Sequence, residues 1–200
     1  MTETPSASVS RDPIERFRKL FEQAVESGME DPNAMVVSSV DAQGRPSSRV
    51  VLLKEFDALG FVFYTNLESR KGLEIQANPH VCLNFFWRDL DQQVRIRGRA
   101  EQVRDEEADA YFASRPRTSQ LGAWASQQSR PLASRARLLA QVAKYETRFL
   151  TGSVPRPPHW SGFRVVPSAI EFWSAGAFRL HDRTLYEKTA EGWTSSRLYP

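Results

Sequence analysis

The chain has 200 residues, of which 40% are hydrophobic and 26% charged, and its 27 Lys/Arg and 24 Asp/Glu give a formal net charge of +3. This composition is that of an ordinary globular protein, long enough to bury a sizeable core. Its one cysteine excludes an intramolecular disulfide, and no segment approaches the roughly 20 apolar residues of a membrane span. The opening MTETPSASVS lacks the apolar core of a signal peptide, so we expect a cytoplasmic protein.

Helix signals begin after a polar, Ser/Thr-rich start. We predict a disordered tail over residues 1–11 and a single domain over residues 12–200. In DPIERFRKLFEQAVESG, Asp12 is a favourable N-cap, Pro13 suits the first helical position, and Gly28 suits the end of a helix. Apolar residues recur at helical spacing between them, which predicts an amphipathic helix lying on a core.

Strand signals follow in series, separated by short loops. Strands are predicted over 34–40, 47–56 and 61–66, a short helix over 68–78, and a strand pair over 80–87 and 92–103. In the last of these, Arg95, Arg97 and Arg99 alternate with apolar residues. That alternation predicts one buried and one cationic face.

Two further helices and a set of C-terminal strands complete the pattern. The helices are predicted over 105–114 and 131–150, and a Pro-rich connector covers 154–160. The strands are predicted over 162–167, 168–173, 178–189 and 192–200. Side chains alternate along a strand, so Arg179, His181 and Arg183 are expected to share one face. The predicted fold class is mainly β with flanking helices (α+β), arranged as an antiparallel barrel.

Several common chemistries have no signal in this sequence. There is no G-x-G-x-x-G fingerprint, no phosphate-cradling glycine loop and no G-x-S-x-G elbow. The three histidines are scattered and there is one cysteine, so we predict no metal site. A nucleotide, if bound, is therefore not expected to be bound in Rossmann or P-loop fashion.

What remains is a set of cations placed in strands and loops. Each basic segment on its own is typical of a solvated surface. Together, in one β domain and interleaved with aromatic residues, they favour a flat aromatic ligand that carries phosphate, since Arg and Lys with hydroxyls are suited to hold phosphate. The four segments are SSRVVLLK with Arg49 and Lys54, YTNLESRKG with Thr65, Ser69, Arg70 and Lys71, YFASRPRTSQ with Tyr111, Arg115 and Ser119, and FRLHDR with Arg179, His181 and Arg183.

These segments resemble the pyridoxine/pyridoxamine 5′-phosphate oxidase family, whose fold is the FMN-binding split barrel. The resemblance covers nearly the whole chain, from about Asp12 to Pro200. It rests on RVVLLK, FVFYTN, SRKG, YFASRPR, SQLGAWAS, QQSR, GFRV, EFW, RLHDR and the ending RLYP, which occur in family order.

The resemblance implies a role for each matching residue. Residues that hold the substrate are implied to be Lys54, Tyr111, Arg115, Ser119, Arg179 and His181, and the last two are implied to be the catalytic pair beside the pyridine ring. FMN contacts are implied for Arg49, Val50, Val51, Leu52, Leu53, Lys54, Tyr64, Thr65, Arg70, Lys71, Gln93, Gln128, Ser129, Trp173 and Arg183.

The family reaction oxidises pyridoxamine 5′-phosphate or pyridoxine 5′-phosphate to pyridoxal 5′-phosphate, with FMN as cofactor and O₂ reduced to hydrogen peroxide. The resemblance further implies a homodimer with FMN at the subunit interface, and no nucleic-acid or membrane partner. Three alternatives stay open at this point. They are a related flavin oxidase of another reduced aromatic such as a dihydrophenazine, a non-enzymatic carrier of flavin or pyridoxal phosphate, and a basic nucleic-acid-binding barrel.

Overall fold

The computed structural model describes residues 12–200, which contain nine strands and five α-helices. The predicted tail over residues 1–11 lies outside the described residues. None of the helices within 12–200 is both long and apolar enough to cross a membrane. The strands are β1 Ala34–Val40, β2 Pro46–Leu52, β3 Glu55–Asp57, β4 Gly60–Asn66, β5 His80–Trp87, β6 Gln92–Gln102, β7 Trp160–Ser174, β8 Asp182–Thr189 and β9 Gly192–Leu198. The helices are α1 Pro13–Glu26, α2 Arg70–Ala77, α3 Asp105–Ser114, α4 Arg117–Ala125 and α5 Arg135–Arg148.

All nine strands belong to one antiparallel sheet in the order β2-β1-β5-β6-β7-β4-β3, with β8 and β9 branching from β7. The long strand β7 makes the branch possible. Its first half, 160–165, pairs with β4, and its second half, 169–174, pairs with β8, while β6 runs along the other edge of both halves. The sheet therefore splits along one edge of β7, which is the geometry of a split barrel.

The main core lies between the sheet and α1. The Asp12 carboxylate accepts a hydrogen bond from the Ile14 backbone N–H at 2.9 Å, which starts the helix as predicted. Phe17 is fully buried, and its ring meets Phe61 and Phe85 edge-on at centroid distances of 4.9 and 5.1 Å. The predicted amphipathic helix on a core is confirmed.

A smaller aromatic cluster lies under helices α3 to α5. Its buried members are Phe112, Leu121, Val154 and Trp160. Half-buried tyrosines, among them Tyr64 of β4, pack against it. Helices α3 and α4 are thereby held against the first residues of β7, so they form the roof over that end of the sheet.

Several elements differ from the sequence-based expectation. The predicted strands 162–167 and 168–173 are one continuous strand, β7, because a shift in the pairing with β6 between Arg97 and Gly98 accommodates Pro167. The predicted strand 47–56 is two strands, β2 and β3, because the chain leaves β1 after Leu52 and the Lys54 N–H bonds to the Val62 carbonyl of β4 at 2.9 Å. Helix α4 had no prediction. It begins directly after Pro116, which serves as its N-cap residue, and buries Gln120 and Leu121.

The predicted strand 178–189 begins only at Asp182, so the expectation that Arg179, His181 and Arg183 share a strand face is wrong. Phe178 and Arg179 have left-handed backbone angles, with φ of 56° and 64°, and form a tight turn. Gly176 makes this turn possible, because a Cβ there would lie 1.9 Å from the Leu180 carbonyl oxygen. Arg179 and His181 therefore lie in a loop that precedes β8.

Candidate active site

A cleft of about 450 Å³ opens between the sheet and the helical roof. Its walls come from β2, β4, the start of α2, and helices α3 and α4. The predicted site residues that line it are Val50, Val51, Leu52, Lys54, Tyr64, Thr65, Lys71, Tyr111, Arg115, Ser119 and Gln128. The residues that line it without having been predicted are Asn66, Gly122, Ala123, Ser126 and Trp160.

Lys71 places a cation at one end of the cleft. It lies in the first turn of α2, where the Ser69 hydroxyl caps the helix by accepting the Gly72 N–H. Its ammonium donates to Thr65 Oγ1 at 3.0 Å and to Gln128 Oε1 at 3.1 Å, and no acid within residues 12–200 pairs with it. Burial, with a smaller repulsion from Arg49, lowers the pKa of Lys71 to about 8.

Arg115 supplies a second cation, at the C-terminal end of α3. No ion pair links it to an acid in the described part of the chain, and its buried Nη1 has no hydrogen-bond partner there. Burial lowers the pKa of Arg115, with a smaller opposing effect from Tyr111. A guanidinium in this state offers unused donors to an anion that enters the cleft.

Three aromatic rings stack beside Arg115. Tyr64 and Tyr111 lie 4.0 Å apart with an interplanar angle of 11°, and Trp160 lies 5.3 Å from Tyr64 at 4°. The Tyr64 hydroxyl is buried without a hydrogen-bond partner among the described residues, and burial raises its pKa. Aromatic faces, hydroxyls and two cations without acid partners fit flat ligands that carry phosphate, which is the chemistry of FMN and of a pyridine phosphate.

Arg49 and Arg70 do not line the cleft, because a buried carboxylate holds both. Glu74, whose side chain is 5% exposed, accepts hydrogen bonds from Arg49 Nη2 at 3.0 Å and from Arg70 Nε at 2.8 Å. Arg49 also donates to Ser39 Oγ and to the Val37 carbonyl. Leu53, another predicted FMN contact, lies in the main core. None of these three side chains lines the cleft.

A second group of predicted residues lies at the other end of β7. Trp173 is paired in register with Gln93 of β6 and with Arg183 of β8. Arg183 donates to Glu171 Oε1 at 2.8 Å, and Arg95 pairs with the other oxygen of the same carboxylate. None of these five residues lines the cleft, so one chain presents the predicted site in two separate parts.

The loop before β8 belongs to this second part. The His181 ring lies 4.7 Å from the Trp173 ring, and the Gly176 N–H donates to His181 Nδ1 at 3.2 Å. Since Nδ1 is an acceptor here, the neutral imidazole carries its proton on Nε2. Phe178 is 95% exposed, and Arg179 lies beside it outside the cleft.

Two further residues differ from the predicted site: Ser129 was predicted to bind FMN but does not line the cleft, and Trp160 lines the cleft but was not predicted. Ser129 lines a neighbouring cavity under α5, next to Gln128, rather than the cleft itself. Trp160 ends the Pro-rich stretch VPRPPHW, which reads as a connector, and its place in the cleft follows only from the pairing of β7 with β4. An aromatic residue two positions before the predicted strand GFRVVP is the signal that was available.

A split antiparallel barrel with a cationic, aromatic cleft beside the first residues of β7 defines a protein that binds a flat phosphorylated ligand. Residues 21–149 match the protein family described as pyridoxamine 5′-phosphate oxidase. Residues 160–200 match the pyridoxine 5′-phosphate oxidase C-terminal dimerisation region. The chain therefore belongs to the pyridoxine/pyridoxamine 5′-phosphate oxidase family, as its motifs predicted.

Curated relatives match over nearly the full length. A pyridoxine/pyridoxamine 5′-phosphate oxidase of Myxococcus xanthus strain DK1622 is 60% identical over 189 residues, covering 94% of this chain and 92% of the relative. The protein of the same name from Rhodospirillum rubrum is 55% identical over 200 residues, covering 98% of this chain and 100% of the relative.

Solved structures share the fold. PhzG from Burkholderia lata 383, in complex with tetrahydrophenazine-1-carboxylic acid, superposes with a TM-score of 0.92 at 30% identity and covers 100% of this chain and 98% of that one. An FMN-binding protein of Nostoc punctiforme related to pyridoxamine 5′-phosphate oxidase gives a TM-score of 0.75 at 15% identity, covering 96% and 100% of the two chains. The split-barrel prediction is confirmed.

Proposed function

We propose that the chain is an FMN-dependent oxidase that converts pyridoxamine 5′-phosphate and pyridoxine 5′-phosphate to pyridoxal 5′-phosphate. The observation that carries this is the pair of cations in the cleft, Lys71 and Arg115, which lack acid partners within residues 12–200 and so suit two phosphate groups. Relatives at 55% and 60% identity that carry the corresponding name support it.

The electron balance of the reaction is simple. When bound, FMN supplies the two-electron oxidation, and O₂ takes up two electrons and two protons to give hydrogen peroxide. The alcohol substrate becomes the aldehyde directly. The amine substrate becomes an imine, which water converts to the aldehyde and ammonia. The protein's task is to bind both molecules, hold them in contact and exclude bulk water.

Lys71 is assigned to the FMN phosphate. Its ammonium is already oriented by Thr65 and Gln128, and the N-terminus of α2 adds a favourable dipole. Burial of the charged ammonium is the main physical reason for the lowered pKa of Lys71. A phosphate bound at this position would offset the free-energy cost of that burial. The exposed apolar face of β2, with Val50 65% exposed, offers a surface for the flat ring system.

Arg115, Tyr111 and Ser119 are assigned to the substrate phosphate, as the family resemblance implies. All three line the cleft: Tyr111 lies on α3, Arg115 directly follows α3, and Ser119 lies on α4. Arg115 contributes donors that no protein acceptor uses at Nη1. Lys54 also lines the cleft and is expected to contact either ligand.

We assign the remaining site residues to a second copy of the chain, which completes the site. The second group, with Gln93, Trp173, Arg179, His181 and Arg183, lies outside the cleft of its own chain. The match of residues 160–200 to a dimerisation region supports a homodimer, and most of that group lies within this range. We infer that FMN binds at the interface, between the cleft of one chain and this group from its partner.

His181 is assigned a hydrogen-bond donor role towards the substrate. Its Nδ1 is used as an acceptor for the Gly176 N–H, so the neutral ring offers Nε2–H and not a lone pair at that atom. Arg179, beside it in the loop, adds a positive charge next to the ring. The pair therefore orients the substrate, and the neutral His181 ring does not accept a proton at Nε2.

The test is a steady-state assay of the purified, FMN-loaded protein with both substrates and oxygen. We expect pyridoxal 5′-phosphate and hydrogen peroxide in equal amounts from each. Oxidation of a dihydrophenazine in place of the two phosphates would favour an activity like that of the phenazine-bound structural relative. FMN binding with no oxidation of any of these would favour a carrier.

A further inference from the structure

We propose that Trp160 is a positioning residue that holds the Arg115 guanidinium ready for the substrate phosphate. This inference rests on the proposed function and adds a residue to it. Trp160 is not among the residues that the family motifs indicate.

Several other half-buried arginines within residues 12–200 are held by carboxylates. Arg156 pairs with Asp105 at 2.8 Å and with Asp109 at 2.6 Å, and Arg164 pairs with Asp57 at 2.8 Å. A carboxylate fixes a guanidinium by occupying its N–H edges, so those donors are then unavailable to a ligand. Arg115 has no such partner within residues 12–200, yet it is half-buried at a cleft wall.

The face of Trp160 supplies the missing support. The Arg115 guanidinium carbon lies 4.8 Å from the Trp160 ring centroid and 5.6 Å from that of Phe112. A cation over an aromatic face is attracted by the ring quadrupole, and indole is the strongest of the natural faces. This contact holds the flat side of the guanidinium and leaves its N–H edges free. Arg115 is thus fixed in place and is still able to bind phosphate.

Trp160 is itself held firmly, which a support must be. Its side chain is buried, Phe112 meets it edge-on at 5.0 Å and 70°, and Tyr64 stacks on it at 4°. Its backbone carbonyl accepts a hydrogen bond from Arg156 Nη1 at 2.9 Å, which links it to the acids of α3. Tyr111 lies parallel to the same ring at 6.2 Å, so two of the assigned phosphate residues depend on one indole.

The test compares Trp160→Leu with Trp124→Leu as a matched control. Trp124 packs against the same aromatic cluster and lies near a different arginine, Arg148, at 5.6 Å, but it does not line the cleft. Each variant is assayed with pyridoxamine 5′-phosphate and with pyridoxamine, which has no phosphate. We expect Trp160→Leu to lower kcat/KM for the phosphorylated amine about tenfold, through KM, and to lower the value for pyridoxamine by much less.

Equal losses for the two substrates would mean that Trp160 acts only through general packing and would overturn the assignment. An equal tenfold loss of phosphate selectivity in Trp124→Leu would also overturn it. If Trp160→Leu does not fold, Trp160→Phe carries the test, because its smaller face predicts about a threefold loss that again falls mainly on the phosphorylated substrate.

A binding measurement separates this inference from the proposed function. Calorimetric titration of the FMN-loaded protein with pyridoxal 5′-phosphate and with pyridoxal reads the phosphate contribution without turnover. We expect the preference for the phosphorylated ligand to fall about tenfold in Trp160→Leu. A wild-type protein that shows this preference but oxidises neither substrate would refute the proposed function and leave the role of Trp160 standing.

Discussion

Two groups of basic residues in this chain differ in one respect, which is whether an acid already holds them. Arg49 and Arg70 share Glu74, and Arg95 and Arg183 share Glu171. Lys71 and Arg115, in the cleft, pair with no acid in the part of the chain that the structure describes. The paired cations join strands and helices to one another. Lys71 and Arg115 line the cleft, where an anionic ligand fits.

This difference identifies one source of the free energy of ligand binding. A buried cation without a partner is costly, and the lowered pKa values of Lys71 and Arg115 express that cost. A bound phosphate removes it. Arg49 and Arg70 already share the Glu74 carboxylate and do not line the cleft, so replacing either is expected to affect folding more than ligand binding.

The largest expected effect is that of Arg115→Met on the substrate. Losing two charge-assisted hydrogen bonds to phosphate is expected to lower kcat/KM for pyridoxamine 5′-phosphate by about a thousandfold. The matched control is Arg164→Met, which removes an arginine held by Asp57 and Glu107. It is expected to lower the stability and to leave kcat/KM within about twofold. Similar losses of kcat/KM in both variants would contradict the distinction between arginines that have an acid partner and Arg115, which has none within residues 12–200.

Glu74→Ala tests the paired group. Removing the carboxylate leaves Arg49 partly buried without its acid, so we expect the free energy of unfolding to fall by about 3 kcal/mol. The control is Glu15→Ala, which removes exposed pairs with Arg18 and Lys19 and is expected to cost less than about 0.5 kcal/mol. Urea unfolding of both variants at neutral pH measures the difference.

The same carboxylate predicts an acid dependence. Burial alone would raise the pKa of Glu74, but hydrogen bonds from Ser39, Ser47, Arg70 and Arg49 outweigh it and lower the pKa from 4.5 to about 2. A folded-state pKa below the unfolded one stabilises the protein above pH 4.5, and this stabilisation is lost as the pH falls towards 2. Glu74→Gln should flatten this part of the stability curve, and an unchanged slope would contradict the assignment.

Lys71→Met is expected to weaken FMN binding by about thirtyfold, because one charge-assisted contact to the phosphate is lost. Fluorescence titration of the flavin-free protein measures this dissociation constant. In the unaltered protein the pKa of Lys71 is about 8, and phosphate binds the protonated form. FMN binding should therefore weaken as the pH rises above 8, and this dependence should be absent in Lys71→Met.

The smallest expected effect is that of His181→Gln. The Gln amide places a donor near the position of His181 Nε2, so kcat should stay within about threefold of the unaltered enzyme. His181→Phe, which removes the donor, should lower kcat/KM by about tenfold. A loss in His181→Gln as large as that in His181→Phe would show that the ring transfers a proton.

Local signals in the sequence predicted much of this molecule. Asp12 and Pro13 start α1 because capping depends only on neighbouring residues, and the alternation in β6 depends only on strand geometry. The family, the fold class and the oxidase activity expected from the motifs are confirmed by the matching family and the relatives. The roles of single residues, the extent of the domain and the cytoplasmic location stay predictions.

Other features depend on contacts between distant segments and could not be predicted. Arg49 and Glu74 are 25 residues apart, and only the packing of α2 against β1 and β2 brings them together. The loop at Phe178 broke the expected alternation, because a left-handed turn at Gly176 to Arg179 is not visible in strand periodicity. Trp160 reads as the end of a connector until β7 pairs with β4.

The most direct measurement of the proposed oxidase activity is an anaerobic titration of the FMN-loaded protein with pyridoxamine 5′-phosphate. It is followed by the flavin absorbance at about 450 nm. We expect full loss of that absorbance, one pyridoxal 5′-phosphate formed for each FMN, and recovery of the colour when oxygen is admitted. A flavin that keeps its absorbance with the phosphorylated amine and with the phosphorylated alcohol would contradict the account.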